Sequence, residues 1–271
     1  MSDVETTALS VFAAELRCWR QRLGWSQAEC GEKIAFSASL VGAVETCQRT
    51  PTLDFARRLD EVMGTPGTFM RLHELIAREA YPSWFAPVIS FEREAVRVHG
   101  WEPGVVPGLL QTEDYARAII TAGRPSDSAE MIDRTVAARM ERQRILAGEH
   151  APMLWYVIPE GVLRHLVGGA AVMAGQLDKV IELAGTPGMV LQVLPFTASD
   201  YAGGDGPIAV YDFADAPTVC YTECYGGGRV VETRDEVADL VTVISMIRAS
   251  ALSPGDSAEL ARKVRSEIRD R

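Results

Sequence analysis

The chain has 271 residues, 47% of them hydrophobic and 24% charged, which suffices for two domains with sizeable cores. Its formal net charge of −10 excludes a protein that holds nucleic acid through bulk positive charge, because such affinity comes from neutralising phosphates. No apolar run approaches a membrane span, and MSDVETTALS lacks the basic and apolar regions of a signal peptide, so a cytoplasmic protein with no membrane partner is expected.

Residues 1–80 hold 9 Lys+Arg against 11 Asp+Glu, and the remainder 18 against 26, so the acidity lies mostly in the larger C-terminal part. Leu9, Phe12, Ala13, Leu16 and Leu23 recur near helical spacing and predict an amphipathic first helix closed by Gly24. Ser26 is a natural N-cap for a second helix to about Ile34, since its hydroxyl can accept from the open N–H groups of the first turn. Ser37 caps a third helix to about Glu45, with Phe36 and Val41 placed as a hydrophobic staple. Thr52 starts a fourth, with Leu53, Ala56, Leu59 and Val62 inward and Gly64 ending it. Short helices joined by a three-residue turn and flanked by others make either a helix-turn-helix or an arbitrary small bundle.

The order Leu23-Gly24-Trp25-Ser26-Gln27, Phe36-Ser37-Ala38-Ser39-Leu40-Val41, Val44-Glu45 and Arg49-Thr50-Pro51-Thr52-Leu53 closely resembles the Xre family of phage-repressor-like regulators over residues 9–64. That resemblance implies double-stranded DNA as a partner. It places Gln27 on a phosphate, Gln48 and Arg49 on the backbone at the other side, and Val41 and Val44 in the core. Three positions depart from the family's pattern: Cys30 for a larger aliphatic residue, Gly31 for alanine, and Ala35 where the turn has glycine. A helical glycine costs about 1 kcal/mol relative to alanine, and Ala35 is strained if the turn needs positive φ, so a modestly stable headpiece is expected.

The outward positions of the third helix are Ala38, Ser39, Gly42 and Ala43. None can make the bidentate contacts that Arg, Asn or Gln make with guanine or adenine. Ser39 offers one bond, and an alanine can touch a thymine methyl. The expected DNA-facing set is Gln27, Ser37, Ala38, Ser39, Gly42, Ala43, Gln48 and Arg49. Either specificity comes from dimer spacing, DNA shape and phosphate placement, or the headpiece has lost specific reading and serves as a docking surface.

Phe69, Leu72, Leu75 and Ile76 predict a helix broken at Tyr81-Pro82, and a further helix from about Ser83 takes in Ala95 and Val96. Thr112 caps a helix whose first turn carries Glu113 and Asp114, placed for the helix dipole and not as a catalytic pair. From about Ser128 to Gly148 runs an arginine-rich helix (Arg134, Arg139, Arg142, Arg144), interleaved with Asp133 and Glu141 and read as a solvated face or partner contact. The apolar runs PMLWYVIP and GMVLQVLPF bracket helical stretches at about Val162–Val167 and Val172–Ala184, permitting a βαβ unit. GPIAVYDF and PTVCYTEC read as further strands, followed by helices at about Arg234–Leu252 and Asp256–Arg269.

The glycine-rich YAGGDGP and YGGGR match no phosphate-binding fingerprint and read as turns. His73, His99, His150 and His165 are scattered, so no metal is expected. Five cysteines at irregular spacing fit reduced thiols, with Cys220 and Cys224 structural. No nucleophile–base constellation stands out, so neither a catalytic site nor a cofactor is expected.

The strings WEPGVVPGLLQTEDYARAII, ARMERQRIL, GQLDKVIELA, VLQVLPF and ALSPGDSAEL, over about residues 80–261, resemble the C-terminal domain of actinobacterial Xre regulators of the WhiJ and antitoxin-like type. The resemblance implies a transcriptional regulator, often associated with a small companion protein encoded nearby. The expected fold is an all-α helix-turn-helix domain (residues 1–78) followed by a mixed α+β domain (79–271), a small sheet covered by helices. Three functions stay open. The chain is a homodimeric DNA-binding regulator whose C-terminal domain senses or docks a partner, an antitoxin-like protein that sequesters a small partner, or a sensor of a small-molecule effector with Trp101, Tyr115 and Trp155 lining a pocket.

Overall fold

The computed structural model describes residues 7–79, 81–148 and 150–269; the first six, part of the segment read for a signal peptide, lie outside the described residues. The chain divides into two units, one of residues 1–83 with 128–141, the other of residues 84–127 with 142–271.

The first unit begins with five helices, α1 (Ala8–Arg22), α2 (Gln27–Ile34), α3 (Ala38–Glu45), α4 (Leu53–Met63) and α5 (Thr68–Glu79). The side chains of Thr7, Ser26, Ser37 and Thr52 cap the first four, each accepting from an amide of the first turn. At Ser26 the cap is reciprocal, because the Glu29 carboxylate accepts from the Ser26 N–H. The buried Asp60 carboxylate accepts from the amides of Phe69 and Met70 at 3.1 and 2.9 Å, tying α4 to α5. Phe12, Leu16, Ile34, Val41, Val44, Phe55 and Phe69 form a core with no measurable exposure. Phe36 packs on that core and meets Phe55 at 5.2 Å. Two expected inward residues lie elsewhere. Leu23 is exposed because it stands past the last turn of α1, and Val62 because Met63 takes the inward place beside Leu59.

The second unit holds α6 (Ala86–Glu94), β1 (Arg97–Trp101) and α7 (Glu113–Gly123), the last capped by Thr112. Helix α8 (Ala129–Arg142) follows, belonging to the first unit as far as Glu141. Then come β2 (Met153–Pro159), α9 (Glu160–Arg164), α10 (Ala170–Leu183), β3 (Met189–Leu194), β4 (Ile208–Asp212), β5 (Val219–Cys224), β6 (Gly227–Val231), α11 (Arg234–Ser250) and α12 (Pro254–Arg269). The strands make one six-stranded sheet in the order β3-β2-β1-β4-β5-β6, parallel over β1 to β3 and antiparallel over β4 to β6. The expected small sheet covered by helices is therefore present, with β2, α9, α10 and β3 as its βαβ unit.

Alternation along β2 supplies both faces. Leu154, Tyr156 and Ile158 join the core containing Leu177 of α10 and Val264 of α12, whereas Val157 joins Trp101, Val210 and Cys220 beneath Ile244 and Ile247 of α11. Trp101 and Tyr115 are fully buried in separate clusters, and Trp155 lies under the Arg248 guanidinium at 4.1 Å. Two strands depart from the sequence reading. β1 follows a helix that stops at Glu94, short of the expected Ala95 and Val96, in a stretch given no strand from sequence, and β6 lies where YGGGR reads as a turn. The arginine-rich helix is shorter than expected, ending at Arg142 before a 3-10 segment over Gln143–Ala147.

Candidate nucleic-acid interface

The helix-turn-helix is built from α2, the three-residue turn Ala35–Ser37, and α3. Ala35 adopts φ 58°, ψ 43°, the left-handed conformation in which a Cβ is strained. The tight turn brings the Phe36 carbonyl against Gly31, where a Cβ would stand 2.6 Å from that oxygen. Gly31 is thus required by close approach, and the expectation that alanine would serve better there is corrected.

The far end of α3 closes differently. Cys47 also sits left-handed, at φ 60°, and the amides of Gln48 and Arg49 both turn back onto the Ala43 carbonyl, at 2.8 and 3.2 Å. This Schellman-type ending, with cysteine in the usual glycine place, presents Gln48 and Arg49 to solvent. Among the described residues the Arg49 guanidinium has no ion-pair or hydrogen-bond partner, whereas Arg57 and Arg58 both pair with Asp54. Lys33 lies over Trp25 and Arg22 over Trp19.

At the opposite end Ser37 caps α3, its hydroxyl accepting from Leu40 N–H at 3.2 Å, and Ala38 and Ser39 are exposed. Gly42 and Ala43 are half-buried. Gln27, the first residue of α2, folds against Gly42, where a Cβ would come within 3.0 Å of Gln27 Oε1. The Gln27 Nε2 donates to Glu45 Oε2 at 2.9 Å. The structure therefore brings Gln27 and Gly42 together, and sets Ser37, Ala38 and Ser39 at one end of α3 with Gln48 and Arg49 past the other.

The group that organises this face is Glu45, assigned no role in the sequence reading. Its side chain is 1% exposed and takes two bonds from Arg20, Nε to Oε1 at 2.6 Å and Nη2 to Oε2 at 3.0 Å. Arg17 Nη2 adds a bond to the Glu45 carbonyl. Burial alone would raise the Glu45 carboxyl, but the hydrogen bonds from Arg20 and Gln27, with the Arg20 and Arg17 charges, hold it below the usual carboxylate range. The signal was available: Glu45 is the sole charge in the α3 sequence ASLVGAVE. Cys30 beside this network is fully buried, and desolvation pushes its thiol up to about 11.

Among the described residues, no group of three or more His, Cys, Asp or Glu is placed to hold a metal ion. No single helix there is long and apolar enough to cross a membrane. Residues 11–72 match a family described as a helix-turn-helix domain, and residues 85–263 match one described as a domain of unknown function, DUF5753. No curated protein and no solved structure matches the chain. A helix-turn-helix domain binds DNA, and its presence points to a DNA-binding regulator. With the larger match spanning well over half of its residues, the chain belongs to the DUF5753 family.

Proposed function

We propose that the chain is a sequence-specific transcriptional regulator of the Xre type, from an actinobacterium, working in the cytoplasm as a homodimer on double-stranded DNA. Helix α3 enters the major groove with Ser37, Ala38 and Ser39 foremost and Gly42 and Ala43 behind. Gln27 meets one phosphate strand, and Gln48 and Arg49 the other. The observation that carries this reading is the exposed Gln48–Arg49 turn, held by two amide bonds to Ala43 with its guanidinium uncommitted among the described residues. Because the groove-facing side chains are small, sequence is read chiefly through half-site spacing, DNA shape and phosphate register. The protein acts by binding and has no catalytic role.

The C-terminal domain takes a small companion protein. Its sequence carries the larger part of the negative charge, 26 acidic against 18 basic residues beyond residue 80, which suits a basic partner. The test is a titration against DNA from upstream of the chain's own gene and against shuffled DNA, with and without the product of the neighbouring gene, at several salt concentrations. Preference for the native DNA is expected. Equal weak binding to both, beside a tight protein complex, would contradict this reading and make antitoxin-like partner capture the main activity.

A further inference from the structure

Helix α8 falls inside the segment 85–263 that carries the C-terminal family match, yet Ser128–Glu141 pack as part of the first unit. The chain enters α8 from Asp127 and leaves it at Arg142, and both of these residues belong to the second unit. Arg142 is fixed there, its side chain 7% exposed, with Nε 3.2 Å from Glu92 Oε2 and the guanidinium 5.1 Å over Phe85. One turn earlier, Ala137 and Ala138 help line a cavity of about 70 Å³ whose wall includes Thr50, Pro51 and Thr52.

Those three residues are the whole connection between Arg49 and α4. Thr52 is the cap of α4, its hydroxyl accepting from Phe55 N–H at 3.2 Å, and Pro51 is buried. Three residues reach about 10 Å at full extension, so a shift at Pro51 has little slack in which to dissipate before Arg49. The contact with α8 is adjustable. The cavity exceeds severalfold the roughly 10–15 Å³ that one water needs, and alanine adds nothing beyond Cβ to fill it. Arg134, on the same wall, keeps its Nε–H buried without an acceptor among the described residues, so the joint is not fully satisfied.

We propose that α8 is a positioning element: by bracing Thr50–Thr52 it sets where Gln48 and Arg49 meet the DNA backbone, and its displacement through either end in the second unit changes DNA affinity. The proposal rests on Arg49 as a phosphate contact, and the test separates the two. The full-length chain and its Ala138→Leu, Arg49→Ala and doubly substituted forms are titrated with upstream DNA across a salt series. Ala138→Leu, which fills the cavity and presses on Pro51, lowers affinity about five- to tenfold and reduces the salt slope by about one, as Arg49→Ala does alone. The double variant loses no more than about twofold beyond either single one, because both remove the same contact. Ala138→Ser, which keeps the cavity open, binds within about twofold of the unsubstituted chain.

Independent, multiplying losses, or a full-affinity Ala138→Leu, overturn the role of α8. An Arg49→Ala chain that binds undiminished overturns the phosphate contact, and the role of α8 with it. Should Ala138→Leu fail to fold, Ala138→Val goes through the same cycle with the same expectations.

Discussion

Each unit holds an arginine–glutamate pair with a buried carboxylate, and the two pairs do different things. In the headpiece Arg20 grips Glu45 with two hydrogen bonds, and the same carboxylate reaches outward to Gln27 on the proposed DNA face. In the second unit Arg142 faces Glu92, lies over Phe85 and packs against Gly108, between the segments that lead into and out of the sheet. The first pair orients a surface side chain; the second holds backbone together. A buried ion pair is a poor guide to stability by itself, because desolvation offsets much of the attraction. What it does guarantee is a large penalty when one partner is removed.

Removing the second unit's cation has the largest expected effect. Arg142→Ala leaves Glu92, 4% exposed, without that charge, and costs about 3–5 kcal/mol in denaturant unfolding. A loss under about 1 kcal/mol would show that the pair does not hold this region. Next comes Glu45→Gln, expected to cost about 2–3 kcal/mol, and also to weaken DNA binding by freeing Gln27. This substitution carries a pH signature. The folded Glu45 carboxyl titrates below its unfolded value, so the stability it adds is complete above the unfolded pKa and is lost as pH falls through the folded one. The Glu45→Gln chain therefore loses less stability on acidification below about pH 4.3 than its parent. Parallel stability–pH curves would contradict the assignment.

Glycine and alanine in the turn sharpen the contrast at smaller scale. Gly31→Ala should destabilise by about 1–3 kcal/mol, because its Cβ meets the Phe36 carbonyl at 2.6 Å, although helix propensity alone predicts a gain. Ala35→Gly should stabilise by about 0.5–1 kcal/mol by relieving the left-handed backbone. A thermal melt of each settles the sign, and a stabilised Gly31→Ala would mean that the turn does not approach as closely as described.

The two regions also differ in how far they could be read from sequence. Caps at Ser26, Ser37, Thr52 and Thr112 were legible because a hydroxyl and an amide three residues on are local partners. Strands β1 and β6 were not. RVHGW carries polar residues and a glycine, and becomes a central strand because β2 and β4 flank it. Gly100 in it makes room for the Tyr156 ring, a partner 56 residues away. GGRVV is an edge strand defined by pairing with β5. At the candidate interface, family resemblance alone suggests Gln27, Gln48 and Arg49 as DNA contacts. The Glu45 network was missed because Arg17 and Arg20 lie more than 20 residues away along the chain. Likewise, the charge pattern of α8 reads as a solvated face or a partner contact, and tertiary contact joins it to the headpiece.

On the proposed reading, this face holds DNA by placed backbone contacts and not by base recognition along α3. The most direct measurement compares the affinities of the full-length chain and its Gln27→Ala/Gln48→Ala/Arg49→Ala form for upstream and shuffled DNA as salt is varied. Weaker binding to both DNAs by a similar factor and a salt slope shallower by about one are expected, since Arg49 is the charged member of the three. Unchanged affinity, or a loss confined to the native sequence, would contradict it.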